Sequence, residues 1–97
     1  MTPGISDVVI AQRGRDAGRR FLIVGFDGEL ALISDGRTRR MEKPKRKKLR
    51  HLTATGEDVG RVADKLRGGE KVTNGEIRRA LAHLAGENEV KGGMCNG

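Results

Sequence analysis

The chain has 97 residues, 35% hydrophobic and only 2% aromatic, which leaves room for one domain with a modest core of Val, Ile and Leu. Its formal net charge is +7, and the whole excess lies in residues 1–55, where 13 Lys/Arg face 6 Asp/Glu; residues 56–97 balance 7 against 7. A lone Cys95 excludes an intrachain disulfide, and neither a signal pattern nor a run near the ~20 apolar residues of a membrane span is present, so the expectation is a cytoplasmic protein with no membrane partner and one polyanion-binding half.

After a short lead-in, Ser6–Gln12 alternates as a strand, with Val8 and Ile10 on one face and Val9 and Ala11 on the other. Arg13–Arg20 follows as a glycine-rich loop with four arginines, Gly14 and Gly18 being its natural positive-φ positions. Arg20–Phe26 reads as the second strand: Phe21, Ile23 and Gly25 share one face, and Leu22, Val24 and Phe26 the other. Both faces are apolar, which predicts a central strand with a barrel interior on one side and cover on the other. Asp27-Gly28 predicts a type I′ hairpin into a third strand, Leu30–Ser34, which Asp35-Gly36 closes. Gly36–Glu42 reads as a turn and a fourth, polar strand, Arg37–Met41. Lys43–His51, KPKRKKLRH, contains Pro44, which has no N–H for a ladder, so the tract is an edge or a connection. Leu49 and Leu52 anchor a short fifth strand or a turn of helix.

Beyond Thr55 the apolar period lengthens. Val59, Val62, Ala63 and Leu66 mark a helix begun by Thr55 or Gly56, with Glu57 and Asp58 at its positive end and Gly68-Gly69 as its stop. Thr73-Asn74-Gly75-Glu76 spells a capping box for a second helix, striped by Ile77, Leu81 and Leu84 and stopped at Gly86. Helices of about three turns are unstable alone in water, so these must pack on each other, on the outside of the strands, or on a protein partner. The expected division is 1–55 for the strands with the basic tract 43–51, 56–86 for a two-helix extension, and 87–97 for a disordered tail.

Val8–Ile10, the loop Gly14-Arg15-Asp16-Ala17-Gly18-Arg19 and Phe21–Val24 together make strand, basic glycine loop, strand. This resembles the KOW motif of several ribosomal proteins and NusG-type elongation factors, with Gly18 at the family's central glycine. With Ile33-Ser34-Asp35-Gly36 and the tract opening Lys43-Pro44-Lys45, residues 5–52 are similar to archaeal and eukaryotic-type large-subunit ribosomal KOW proteins and to small bacterial KOW-domain RNA-binding proteins. The resemblance implies a mainly β fold, an SH3-like five-stranded β-barrel, here followed by a two-helix C-terminal hairpin. It also implies binding to structured RNA, ribosomal RNA first, as a ribosomal or ribosome-associated protein of translation.

The residues support that expectation by themselves. Arginines on a tight glycine loop approach phosphates closely and fork onto their oxygens, which assigns close contacts to Arg13, Gly14, Arg15, Gly18, Arg19 and Arg20. Lys43, Lys45, Arg46, Lys47, Lys48 and Arg50 would form a flexible, non-specific clamp; Arg37, Arg39 and Arg40 would extend the face, and His51 would meet phosphate. With no Trp or Tyr, and with Phe21 and Phe26 assigned to the core, stacking on bases is not expected. Catalysis has little footing. His51 and His83 lie on different elements, no His/Cys spacing suits a metal, and Gly14–Gly18 lacks the spacing and the Lys-Ser/Thr of a nucleotide loop. Asp7, Asp16, Asp27 and Asp35 occupy strand ends and turns, where aspartate bonds to backbone. The expectation is no enzyme, cofactor or metal. Two rival readings are a protein-interaction module of the transcription or translation machinery and a nonspecific nucleic-acid binder.

Overall fold

A computed structural model describes residues 3–15 and 17–84. Five strands, β1 (Val8–Ala11), β2 (Arg20–Asp27), β3 (Leu30–Ser34), β4 (Lys45–Lys48) and β5 (Leu52–Ala54), form one antiparallel sheet in the order β4-β3-β2-β1-β5. Two helices follow, α1 (Arg61–Arg67) and α2 (Asn74–Leu84). The edge strands β4 and β5 are joined by a single 3₁₀ turn, Leu49–His51. That link holds Lys48 and Leu52 within about 14 Å of each other. The edges of a flat five-stranded sheet would lie about 19 Å apart. The sheet therefore curls. Its ladder stays open among the described residues, with β4 and β5 as its two edges.

Curling gives the sheet an inside and an outside, and the period-2 alternation sorts residues between them. Val9, Ala11, Phe21, Ile23, Ala31, Ile33 and Leu52 fill the inside, with Leu49 packed against them. Val8 and Leu22 point outward and are covered by Val59, Val62, Ala63, Val72, Ile77 and Leu81. The helices thus lie on the outer face of the strands, one of the sites expected for them. Phe21, Leu22, Ile23 and Ile77 are fully buried, and each such side chain stabilises the fold by about 1.5–3 kcal/mol. Both sides of β2 are apolar because both are covered.

Several local expectations are corrected. In the β2–β3 hairpin Asp27 pairs with Leu30, so the turn is Gly28-Glu29, one residue later than Asp27-Gly28. Gly28 has φ +61° at the first central position, and among the described residues Ser6 is the one non-glycine with positive φ, so the turn is type II′, not I′. In β2, Ile23 pairs with Ile33 but Gly25 pairs with Leu32, making Val24 the extra residue of a β-bulge. The bulge exchanges the faces of Gly25 and Phe26. Arg37–Met41 is not a strand. The segment is a loop closed on itself: the Asp35 carboxylate accepts the N–H groups of Arg37 (2.8 Å) and Arg39 (2.9 Å). The Arg39 carbonyl accepts from the Asp35 and Gly36 N–H groups and from Ser34 Oγ. A polar side chain satisfying the backbone locally displaces a ladder.

The first helix starts at Arg61 behind Gly60, not at Thr55 or Gly56. Thr55 instead donates its backbone N–H and its Oγ1 to the Val8 carbonyl, and Glu57 is paired with Arg20, which holds this stretch along β1 outside the helix. Glu57 and Asp58 therefore precede the helix, and α1 has two turns instead of three. Gly68 ends it as expected. The capping box of α2 forms: Glu76 N–H donates to Thr73 Oγ1 at 3.2 Å, and Thr73 N–H donates to Glu76 Oε1 at 3.1 Å. Gly86, Cys95 and the expected tail 87–97 lie outside the described residues.

Candidate nucleic-acid interface

The loop between β1 and β2 is tied at its base, where Gly18 N–H donates to Ala11 O (2.8 Å) and Ala11 N–H to Arg19 O (3.1 Å). Gly14 and Gly18 both take φ +84°, as their spacing predicts. The tie leaves Arg13 and Arg15 exposed. Curling then brings the far edge of the sheet to this loop: Lys47 Nζ on β4 donates to the Arg13 carbonyl at 2.9 Å, and Gln12 N–H donates to His51 O at 2.8 Å. Arg13, from the β1–β2 loop, and Lys47, Lys48, Arg50 and His51, from β4 and the 3₁₀ turn that continues it, share one neighbourhood. The cations there act on His51. Its imidazole titrates below the usual histidine value, first because it is desolvated and then because Arg13, Arg50, Lys48 and Lys47 surround it. No carboxylate pairs with Arg13, Lys48 or Arg50 among the described residues.

The other end of the loop faces α2. Arg19, Arg20, Arg37 and Arg78 line a cleft of about 210 Å³ with Asp35, Leu81 and Ala82. Much of this guanidinium group is structural. Arg19 meets Asp35 at 3.4 Å, and Arg20 forks onto Glu57 at 3.0 and 3.4 Å, lowering the Glu57 pKa. Arg78 donates to the Gly36 carbonyl at 3.2 Å. Nothing in the neutral half of the sequence marks Arg78 as a member of a basic site; the packing of α2 on the β3–β4 loop places it there.

Within the basic tract Lys45–Lys48 forms an edge strand, one of the two roles expected for the tract. Lys45 and Lys47 pair with Ile33 and Ala31 on the inner face and are half-buried. Arg46 and Lys48 alternate outward, and Arg46 is spent on Asp27 at 2.8 Å. Arg40 and Lys43 are exposed on the 35–44 loop, joined by a 3.0 Å hydrogen bond from Lys43 N–H to Arg40 O. Arg39 is half-buried, and its carbonyl is the hub of that loop. The sequence-derived basic residues thus divide between a cluster at His51, a cleft at α2 and a connecting loop. Phe26, expected in the core, is instead 40% exposed.

Among the described residues no three His, Cys, Asp or Glu side chains gather as a metal site, and no helix is long and apolar enough to cross a membrane. No protein-family model matches the sequence, and no curated protein does.

Proposed function

We propose that this chain is a non-catalytic RNA-binding protein that docks on structured RNA, ribosomal RNA foremost, as a ribosomal or ribosome-associated component of translation. In this reading the curled sheet is a KOW-type, SH3-like barrel whose 3₁₀ turn stands where a last ladder would close it. The observation that carries it is the crowding of Arg13, Lys47, Lys48 and Arg50 around His51. Like charges held together raise the free energy of the unbound protein, and a phosphate chain relieves that repulsion while releasing its own counterions. The glycine loop presents backbone and arginine to the same phosphates. The α2 cleft, with Arg37 and Arg78, would hold a second stretch of backbone.

The test is a salt titration of binding to a folded ribosomal RNA fragment between about 50 and 200 mM, where a contact of this kind weakens by orders of magnitude. Each phosphate contact contributes about 0.9 to the slope of log affinity against log salt, so the double variant R13A/R50A lowers it by nearly 2. R46A, whose side chain is already paired with Asp27, leaves it almost unchanged. Affinity indifferent to salt, or an unchanged slope in the double variant, refutes the proposal. Sedimentation with ribosomal subunits tests the assignment to translation. Protein partners captured after complete nuclease digestion would favour the interaction-module reading instead.

A further inference from the structure

We infer that Phe26 is a stacking platform for one unpaired base of the bound RNA; the inference rests on the RNA-binding reading above. The bulge at Val24 sets up the geometry. Had β2 alternated regularly, Phe26 would have joined Leu22 under the helices. Instead Gly25 takes the outer face, where a Cβ built on it would lie 3.5 Å from Leu32 Cδ1, and Phe26 pairs with Ala31, a residue of the inner core. Bulges characteristically re-aim a side chain in this way. The ring lands at the rim of the curled sheet, 40% exposed and outside both core clusters.

Its neighbours fit a nucleotide. Ala31 pairs with Phe26 on one side and Lys47 on the other, so ring, methyl and ammonium-bearing side chain form one row across the inner face. The backbones of Phe26 and Lys47 lie two strand spacings apart, about 9.5 Å, which one or two nucleotides span between phosphate and base. Alanine between them leaves the row low. Lys47 is also the residue that touches the Arg13 carbonyl, so the row runs into the cationic cluster. A flat apolar ring beside phosphate-binding cations is the arrangement that holds a splayed-out base.

The absence of Trp and Tyr from the sequence makes the experiment clean, because F26W carries the protein's sole strong fluorophore. F26W is titrated with a hairpin RNA carrying one bulged adenine and with the same hairpin fully paired. Stacking predicts strong quenching by the bulged hairpin and little by the paired one. F26A should bind the bulged hairpin about 5- to 150-fold more weakly, with its salt slope unchanged because stacking releases no counterions. F26L should behave like F26A, and far-UV circular dichroism identical to wild type shows that either variant is folded. Bulged hairpin bound with unaltered tryptophan emission and full F26A affinity overturns the stacking role and leaves the RNA-binding reading intact. No binding of either hairpin by the wild-type chain at low salt overturns both.

Discussion

Replacing Gly36 by alanine should unseat α2 from the sheet. Gly36 has φ +76°, a conformation that costs an alanine about 1–2 kcal/mol. A Cβ there would also sit 2.3 Å from the Asn74 carbonyl oxygen and 3.0 Å from the Arg78 nitrogen, both backbone atoms at the start of α2. The helix must retreat by about 1 Å to restore ordinary contact, and forced repacking of this kind costs about 1–3 kcal/mol more. The sum, about 2–5 kcal/mol, is a large share of the roughly 5–15 kcal/mol that stabilises a domain of this size. Gly18 is the control: its φ is +84°, and a Cβ on it meets nothing within 4 Å. G18A should therefore lose only the conformational part, about 1–2 kcal/mol. Urea titration followed by far-UV circular dichroism measures both, and G36A should lower Tm by at least about 8 °C. If G36A is no less stable than G18A, the close seat of α2 on the β3–β4 loop is wrong.

Glu76 is held down to a pKa of about 2, from an ordinary 4.5, chiefly by Lys65 and then by the Thr73 N–H. A depressed folded-state pKa means that this stabilisation is complete above about pH 4.5 and is lost as pH falls toward 2; E76Q should flatten that part of the stability–pH curve, and an unchanged acid limb would contradict it. His51 starts from a lowered pKa amid cations, and phosphate beside it would raise that pKa, so RNA binding takes up a proton. Affinity should rise as pH falls across about 8 to 5, and H51A should abolish that trend in binding titrations. A chain ending at Thr55 uncovers Val8 and Leu22, so it should aggregate or lose cooperative unfolding; a monodisperse, fully stable fragment in sedimentation and melting would dismiss the covering role of the helices.

Local signals suffice where a residue's own neighbours decide its state. Alternation in Val8–Ala11 assigned both faces of β1, the Thr73–Glu76 capping box marked α2, and Gly68 ended α1. The same rules failed where a distant partner intervened. Thr55 looked like a cap because nothing in its vicinity reveals that the Val8 carbonyl claims it. Arg37–Met41 had strand-like content, yet the Asp35 carboxylate satisfied that backbone first.

For the site, composition alone identifies a basic half and a half of zero net charge, because charge is a property of residues and survives any folding. Which cations stand together is a property of the path between them. Only the curled sheet brings Lys47 to Arg13, only the packing of α2 adds Arg78 to Arg37, and only the unpaired step at Val24 turns Phe26 from the helices to the rim. A periodic pattern records the side of a strand but not a break in its register, and one extra residue reverses every assignment beyond it.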